Sequence, residues 1–350
     1  MANILHISRT MDIGGAEKIV YQLATDLKEE FDSVHIASTG GLWEDELKKK
    51  GIQHHKILDV ESKSPKTLAT NFKTLCSIVK KYKIDIIHTH HRMAAFYVRL
   101  LMYLFPKVKH IYTAHNIFDN RLKLYKYSVQ GARVVSVGEG VSKHLKKDLG
   151  VDSLIIYNAI HENNDTSKVI QIVDCPETKI GFIGRLSEQK GVIYLIEAIK
   201  LLENEKIHLF IVGDGDIKDE LLQKVQDLGI SGKITFLGYR EDTTAIINSC
   251  DFMVMPSLFE GLPLTLIEYF QNGKTLVGTT IPGIKEVVTQ EESGLLVGAG
   301  DSANLSKEIL RLSVDTELRS KLENQAKKIY KEKFSYNNFK TKYLGVYREK

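Results

Sequence analysis

The stretch GFIGRLSEQKGVIYLIEAI (181–199) combines a short apolar run, a polar loop bounded by glycines and an amphipathic segment. The apolar run has the length and composition of a buried strand, and the segment after Gly191 has the spacing of a helix. A strand that passes into a helix in this way is half of a βαβ unit, which builds a parallel sheet. The stretch therefore predicts an α/β fold.

The same alternation recurs on both sides of this stretch. In the first half, runs such as NILHIS (3–8) and SVHIAS (33–38) flank the amphipathic segment GAEKIVYQLATDLKEE (15–30). In the second half, IHLFIVGDG (207–215) and DFMVMPS (251–257) continue the pattern. Two such series in 350 residues predict two Rossmann-like, doubly wound domains. We expect ligands at the carboxyl ends of the strands and in a cleft between the domains.

The expected boundary between the two domains lies at a polar stretch, HENNDTSKVIQIVDCPET (161–178). This stretch has no clear periodicity and is typical of a linker. The first domain is predicted over residues 1–160 and the second over residues 161–334. The remaining segment, 335–350, has the aromatic spacing of an amphipathic helix. We expect this helix either to cap the second domain or to cross back to the first.

The composition is that of a soluble globular protein. Apolar residues make up 43% and charged residues 26%, and no apolar run approaches the ~20 residues that span a bilayer. The start MANILHIS (1–8) lacks the basic region of a signal peptide, so we expect a cytoplasmic protein. Cys76, Cys175 and Cys250 are odd in number and widely spaced, which favours buried thiols over disulfides or a metal site.

Basic residues are concentrated in the first half of the chain. Residues 1–160 contain 24 Lys and Arg against 16 Asp and Glu, whereas the remaining residues contain 24 against 28. Such asymmetry suits an anionic membrane surface at the inner face of the membrane. Ordinary solvated helix faces explain the same basic clusters equally well. No nucleic-acid partner is expected.

The loop of the opening stretch carries two cations. The predicted strand ends at Gly184, and Arg185 and Lys190 follow five residues apart before Gly191 opens the helix. Arginine offers a planar fork of donors and lysine a compact point charge, so the pair suits a doubly charged group such as a diphosphate. The alternative is that both residues are ordinary surface cations, and the flanking glycines make this alternative the weaker interpretation.

A second segment, FEGLPLTLIE (259–268), places a glutamate at each end of an apolar run. It follows a predicted buried strand, and Pro263 suits the first turn of a helix. Glu260 is then expected in the loop before the helix, and Glu268 about one and a half turns inside it.

The amides near Gly261 and Leu262 would form the positive end of this helix, which favours an anion. Carboxylates accept hydrogen bonds from paired hydroxyls. Cations, free amides and two carboxylates together predict a site for a molecule with a central diphosphate and hydroxyl groups at both ends, as in a nucleotide sugar.

A glycine turn follows the predicted strand IHLFIV (207–212). Backbone beside Gly213 can approach a ligand closely because glycine has no side chain. The turn does not complete the dinucleotide fingerprint, since Lys218 stands at the third glycine position, and an oxidoreductase is therefore disfavoured. Asp214 and Asp216 have the spacing of a metal-binding pair, but aspartate is also favoured in such a turn for conformational reasons.

Several segments taken together resemble the retaining glycosyltransferases of family 4, which have the two-domain GT-B fold. They occur in family order and span nearly the whole chain: GGAEKIV (14–20), TAHN (113–116), GRLSEQKG (184–191), VGDG (212–215), FLG (236–238), FEGLPLTLIE (259–268) and ESGLLV (292–297). The spaced glutamate pair together with the Gly-Arg…Lys-Gly loop is the specific part of this resemblance.

The resemblance implies roles for residues of the second domain. Arg185 and Lys190 match the ligands of the donor diphosphate, which stabilise charge on the leaving group. Glu260 matches the residue that holds hydroxyls of the donor sugar, and Glu268 the residue that holds the ribose. Glu188 matches a position that contacts the nucleotide or its phosphates. The base is expected beside Leu237, Gly238 and Tyr239.

In the first domain, the resemblance implies that Gly14 and Gly15 let the opening loop approach the diphosphate. His115 matches the active-site histidine that faces the donor sugar, where it acts as a proton acceptor or only as a hydrogen-bond donor. The family has no agreed enzyme nucleophile, so front-face attack is expected, with the leaving phosphate accepting the proton of the acceptor. The group HTHH (88–91) resembles a zinc site, but no spaced carboxylate or cysteine completes it, and lining of the acceptor cleft or ordinary packing is favoured.

The chain departs from the family pattern after Glu268. Small residues and a Gly-x-Pro-Val turn are usual there, whereas this chain has YFQNGKTLVGTT (269–280). We expect Tyr269, Phe270 and Lys274 to alter the neighbourhood of the donor site without removing a ligand.

The sequence thus predicts a metal-independent hexosyltransferase that uses a nucleotide sugar, expected to be a UDP-sugar, as its donor. The expected acceptor is a glycan or a lipid-linked intermediate of cell-surface polysaccharide or glycolipid synthesis. Two alternatives stay open: a nucleotide-sugar epimerase of the same architecture, and a subunit that binds sugar nucleotides without catalysis.

Overall fold

The computed structural model describes residues 2–12, 14–161 and 177–349. The chain divides into two compact units, one formed by Met1–Asn158 with Asn337–Lys350 and the other by Ala159–Tyr336. Each unit contains one parallel β-sheet, which confirms the predicted pair of Rossmann-like α/β domains. The segment expected to be a linker, 161–178, falls mostly outside the described residues.

The first unit is built on a seven-stranded parallel sheet in the order β3-β2-β1-β4-β5-β6-β7. Its strands are β1 (Asn3–Ile7), β2 (Ser33–Ser38), β3 (Gln53–Lys56), β4 (Ile86–Thr89), β5 (Lys109–Ala114), β6 (Arg133–Ser136) and β7 (Leu154–Ile155). The strand order reverses between β1 and β4, where His6 pairs with His88. This reversal creates a crevice at the carboxyl ends of the two strands, the usual place for a ligand in such sheets.

The described residues of this unit form seven α-helices, and the last of them returns from the far end of the chain. They are α1 (Gly15–Asp26), α2 (Glu44–Lys49), α3 (Pro65–Tyr82), α4 (Arg92–Leu101), α5 (Leu122–Val129), α6 (Glu139–His144) and α14 (Tyr336–Arg348). The Lys109 ammonium donates to the carbonyls of Val346 (2.7 Å) and Glu349 (2.6 Å). Helix α14 therefore packs against the first sheet.

The second unit is built on a six-stranded parallel sheet in the order β10-β9-β8-β11-β12-β13. Its strands are β8 (Thr178–Ile183), β9 (Ile207–Val212), β10 (Ile234–Gly238), β11 (Phe252–Met255), β12 (Leu276–Thr279) and β13 (Leu295–Val297). Its helices are α7 (Val192–Leu201), α8 (Lys218–Asp227), α9 (Thr243–Ser249), α10 (Leu264–Gln271), α11 (Pro282–Lys285), α12 (Ser302–Val314) and α13 (Thr316–Lys333).

Burial follows from this architecture. All six residues of β9 are buried, because a central parallel strand is covered on both faces. Helix α7 contributes Leu195, Ile196 and Ile199 to the same apolar core. Of the three cysteines, Cys250 is buried and Cys76 is half-buried, both as free thiols, and Cys175 lies outside the described residues. Among the helices of the described residues, none is long and apolar enough to cross a membrane.

Two local expectations need correction. Pro263 is the N-cap of α10 and not a residue of its first turn, because its ψ of 127° is extended. Lys274 precedes β12 and donates to the carbonyl of Cys250 (2.6 Å), which precedes β11. It therefore lies at the amino ends of the strands, at the opposite edge of the sheet from the loops that follow β8 and β11.

Tyr269 has a structural role at the point where β8 and β11 separate. In the described part of the chain, these strands pair only at Ile180–Phe252 and Gly181–Met253. Beyond that point, the fully buried Tyr269 hydroxyl accepts from the Ile183 amide (3.2 Å) and faces the Ile183 carbonyl (3.5 Å). It thus replaces the hydrogen bond that β11 no longer supplies.

We expect Tyr269→Phe to lower the free energy of unfolding of the second unit by about 1–3 kcal/mol, because the buried Ile183 amide would lose its partner. Urea denaturation of the purified protein measures this difference. Tyr239→Phe is the matched control, since Tyr239 is 48% exposed and should change stability by less than about 0.5 kcal/mol. Equal stability of the two variants would contradict the role of the Tyr269 hydroxyl.

Candidate active site

The candidate site of the second unit lies at the carboxyl ends of its strands. The strand order reverses between β8 and β11, and the loops that follow these two strands carry Arg185, Lys190 and Glu260. A reversal of this kind opens a crevice, because the loops on its two sides run in opposite directions. The sequence had predicted both loops as ligand-binding loops, and the fold makes them neighbours.

Lys190 and Glu260 contact each other directly. The Lys190 ammonium donates to a carboxylate oxygen of Glu260 at 2.5 Å, and their side chains are only 18% and 9% exposed. The Ser257 hydroxyl donates to the same oxygen (3.2 Å). A partly buried pair of opposite charges is held rigidly, so the ammonium and the carboxylate present fixed groups to a ligand.

Gln189 fastens the two loops together. The Gln189 side-chain amide donates to the Phe259 carbonyl (2.9 Å), and the backbone carbonyl of Gln189 accepts from the Leu258 amide (2.8 Å). A second contact to Glu260 is longer, at 3.4 Å. The sequence interpretation missed Gln189, although its place between Glu188 and Lys190 in GRLSEQKG was a usable signal.

Arg185 is the accessible cation of the site. Its guanidinium donates to Asp216 at 3.0 Å, with the side chains 65% and 80% exposed. Asp214 accepts from Lys218 (2.9 Å), so both aspartates of the glycine turn are paired with cations. Glu188 is exposed in the short 3₁₀ turn Glu188–Lys190.

Two glycines allow the loops to approach one another. Gly213 has a φ of +135°, and a Cβ there would lie 1.9 Å from the Gly184 carbonyl oxygen. Gly191 has a φ of +62°, and a Cβ there would lie 2.2 Å from the Pro256 carbonyl oxygen. Any other residue would push the loops after β8, β9 and β11 apart, which explains both glycines without a ligand.

The remaining predicted residues of this unit also lie at or near the carboxyl edge. Leu237 and Gly238 are the last residues of β10, and the exposed Tyr239 follows them. The Gly238 carbonyl accepts from the Gly213 amide (2.8 Å). Gly261 and Leu262 are buried just before α10. Glu268 lies on α10, about one turn from its start, and is half-buried.

The predicted residues of the first unit follow its own strands. Gly14 is the N-cap of α1 and Gly15 its first residue. His115 follows β5, and its Nε2 lies 3.1 Å from Nδ1 of His90, whose Nε2 lies 3.2 Å from Nδ1 of His6. Each neutral imidazole donates from one nitrogen and accepts at the other. The proton position on His90 therefore fixes which nitrogen of His115 carries its proton.

His6, His88 and His90 form a group that could hold a metal ion, because their ligand atoms lie within 4.8 Å of one another and all three are buried. The same nitrogens are already engaged, however. His88 contacts the hydroxyls of Tyr347 and Thr113, both at 2.8 Å. A metal ion would have to replace these hydrogen bonds, so the observed arrangement is that of a packed polar network, one of the two readings that the sequence favoured for HTHH.

Two family models match this chain in succession. The model for glycosyltransferase family 4 matches residues 13–164, and the model for glycosyl transferases group 1 matches residues 164–329. The chain belongs to these glycosyltransferases. The prediction of a transferase enzyme is thereby confirmed.

Individual relatives agree with this assignment. An uncharacterized glycosyltransferase of Methanocaldococcus jannaschii is 26% identical over 96% of this chain and 95% of its own length. A UDP-Gal:α-D-GlcNAc-diphosphoundecaprenol α-1,3-galactosyltransferase of Escherichia coli is 28% identical over 75% of this chain and 76% of its own length. The solved structure of Anabaena HepE in complex with UDP and glucose covers 100% of both chains with a TM-score of 0.87 at 19% identity. This likeness confirms the predicted fold class, GT-B.

The histidine network of this glycosyltransferase predicts a dependence of stability on pH. Burial lowers the pKa of His6 to about 3 and that of His115 to about 4, from an ordinary value of 6.5, and also lowers the pKa of His88 and His90. The unfolded chain therefore binds more protons than the folded chain between pH 6.5 and 4. We expect the free energy of unfolding to fall in that window by up to about 1.4 kcal/mol per pH unit for each histidine.

Urea denaturation at pH 7.5, 6.5 and 5.5 measures this change. His6→Gln removes one of the titrating groups, so the decrease between pH 6.5 and 5.5 should be smaller in that variant, whatever its absolute stability. An unchanged pH dependence would contradict a neutral, buried His6.

Proposed function

We propose that this glycosyltransferase is a retaining hexosyltransferase that takes its sugar from a nucleotide sugar, with a UDP-sugar as the donor. The observation that carries the proposal is the Lys190–Glu260 contact at the strand-order reversal of the second unit. It places a fixed cation and a fixed carboxylate side by side, as a ligand with a diphosphate next to a sugar requires.

The comparisons support the choice of donor and acceptor. The E. coli relative is named for UDP-galactose and for an acceptor carried on a diphosphate lipid, and the similar Anabaena structure contains UDP and glucose. We therefore propose a glycan or lipid-linked acceptor in cell-surface polysaccharide or glycolipid synthesis. The first unit is proposed to bind the acceptor and the second unit the donor.

The roles of the individual residues follow from this proposal. Lys190 and Arg185 would bind the diphosphate and stabilise the negative charge that grows on it as the bond to the sugar breaks. Arg185 reaches the ligand by exchanging Asp216 for a phosphate, which its exposure permits. Glu260 would accept hydrogen bonds from sugar hydroxyls and Glu268 from the ribose.

The remaining predicted residues complete the donor site. Gly261 and Leu262 would offer amides at the start of α10, Glu188 would contact the nucleotide or its phosphates, and Gly213 would keep the turn after β9 close to the ligand. The base is proposed to rest beside Leu237, Gly238 and Tyr239. Gly14 and Gly15 of the first unit would approach the diphosphate.

A front-face reaction needs no enzyme nucleophile. The bond between the anomeric carbon and the phosphate oxygen breaks, its electron pair goes to the phosphate, and the acceptor oxygen forms its new bond on the same face. The phosphate oxygen then takes the proton of the acceptor hydroxyl. His115 is neutral near pH 7 because burial lowers its pKa to about 4. We propose that it hydrogen-bonds the donor sugar from the nitrogen that does not contact His90.

Thermal unfolding with a panel of nucleotide sugars tests the donor. At ~100 times its dissociation constant, the true donor should add about 2.7 kcal/mol to the free energy of unfolding, because it binds only the folded state. We expect UDP-sugars to stabilise more than GDP- or ADP-sugars. A preferred donor that is not a UDP-sugar would overturn that part of the proposal.

Variants of the site separate binding from catalysis. Lys190→Ala should lower kcat of transfer by about 10²–10³-fold with folding retained, and Glu260→Gln should weaken recognition of the sugar. Lys200→Ala is a matched control, since Lys200 forms another Lys–Glu pair in the same unit, with Glu203 at 2.5 Å. Normal turnover of Lys190→Ala would refute the site.

Two outcomes would favour the alternative functions. Conversion of the donor sugar in the absence of any acceptor would favour an epimerase. Binding of the donor without any turnover would favour a non-catalytic subunit.

We also propose that the first unit attaches to anionic membrane, on the basis of its excess of Lys and Arg. Vesicles with anionic lipid should sediment the protein more than neutral vesicles, and Lys80→Gln/Lys81→Gln should reduce this difference. Lys321→Gln/Lys328→Gln, on exposed positions of α13, is the matched control. Equal sedimentation with neutral and anionic vesicles would refute membrane attachment.

A further inference from the structure

The first unit has a pocket of about 370 Å³ to which the proposed function assigns no role. Three segments that each follow a strand of the sheet contribute its cations: Lys63 comes after β3, Arg92 begins α4 after β4, and Arg121 precedes α5 after β5. The pocket therefore lies at the carboxyl edge of the first sheet, where parallel sheets bind ligands. Its volume is sufficient for a small phosphorylated group.

The charge of the pocket is strongly positive. Lys63, Arg92 and Arg121 line it, and the one carboxylate that lines it, Glu61, already contacts Arg9 (2.9 Å) and His91 (3.2 Å). Within the described residues, no carboxylate forms an ion pair with any of the three cations. Three cations that line one pocket without ion-pair partners repel one another, and an anionic ligand would reduce that cost.

Arg92 is held in place by neutral groups. Its guanidinium donates to the side-chain oxygen of Asn120 (2.6 Å) and stacks over the ring of Phe118 (4.4 Å). Its charge is therefore oriented but not neutralised. A guanidinium that is fixed in this way retains donors for a planar or tetrahedral anion.

Arg121 introduces further positive potential. It is the N-cap of the eight-residue helix α5, and no side chain of the described residues caps the first turn of that helix. It also has a left-handed backbone, with a φ of 54°, which a non-glycine residue adopts at a cost of about 1–2 kcal/mol. The open amides at the start of α5 add to the field of the three side chains.

Part of the pocket lining is less polar. Leu124 and Tyr125 also line the pocket, and the Tyr125 hydroxyl lies 2.8 Å from that of Tyr112. The pocket lining therefore combines three cations with a small apolar surface. A phosphate or diphosphate that is joined to a larger organic group fits this combination better than a free inorganic ion does.

We propose that Lys63, Arg92 and Arg121 bind the phosphate or diphosphate group of the acceptor substrate. This inference rests on the proposed function, since it takes the first unit to be the acceptor-binding unit. It specifies the acceptor as a phosphorylated molecule, whose phosphate comes either from a lipid diphosphate or from a soluble sugar phosphate.

The test uses the full chain saturated with UDP, so that the second unit cannot bind the probe. Calorimetric titration with inorganic pyrophosphate should show one site, and Lys63→Gln/Arg121→Gln should weaken its affinity at least tenfold. Both side chains are exposed, so the variant should fold. The matched control, Lys66→Gln/Lys73→Gln, removes two exposed lysines of α3 that do not line the pocket and should retain the affinity.

Unchanged affinity in Lys63→Gln/Arg121→Gln, or an equal loss in the control, would overturn the inference. Competition with farnesyl diphosphate and with glucose 1-phosphate then identifies the source of the phosphate. Stronger competition by farnesyl diphosphate indicates a lipid-linked acceptor, and stronger competition by glucose 1-phosphate indicates a soluble one. If neither competes, the inference is overturned.

The proposed function can fail independently of this site. If the protein binds pyrophosphate in the pocket but transfers no sugar, the anion site stands and the proposed function fails. If Lys63→Gln/Arg121→Gln transfers sugar with an unchanged KM for the acceptor, the proposed function stands and the anion site fails.

Discussion

The separation of β8 from β11 is the constraint on which the rest of the second unit depends. Paired parallel strands satisfy each other's backbone groups, so β8 and β11 leave some of these groups without partners where they separate. Here they part after Gly181–Met253, and the Tyr269 hydroxyl takes over the bond to Ile183. The opening lets the loops of Lys190 and Glu260 meet across it. A crevice whose lining backbone groups are hydrogen-bonded can remain open, as a ligand site requires.

In the described part of the first unit, β1 and β4 stay paired as far as Ile7–Thr89. His6 and His88 pair on β1 and β4 at the reversal of strand order, and their buried rings need partners. Tyr347 of α14 supplies one of them, at 2.8 Å from His88. The last helix of the chain thus completes the polar core of the first unit. Neutral rings that are hydrogen-bonded to hydroxyls make this network stable near pH 7, and the burial that lowers their pKa values makes it sensitive to acid.

The proposed chemistry uses the two carboxyl edges differently. The edge of the second unit presents a cation already bonded to a carboxylate, which suits a ligand that carries both a diphosphate and hydroxyl groups. The edge of the first unit presents three cations without carboxylate partners among the described residues, which suits an anion alone. A glycosyltransferase whose donor and acceptor both carry phosphate would need these two kinds of site. The difference in counter-charge is the physical basis for assigning donor and acceptor to different units.

The sequence by itself determined the alternation of strands and helices and the positions of the loops that hold the candidate site residues, because hydrophobic periodicity and glycine turns are local signals. It could therefore locate Arg185, Lys190 and Glu260. Only the tertiary structure decided that Lys190 bonds Glu260, that Tyr269 closes a gap in the sheet, and that Lys274 lies at the opposite edge. It also brought Lys63, Arg92 and Arg121 into one pocket. These facts depend on which strands become neighbours, and contacts between residues far apart in the chain leave no periodic trace in its sequence.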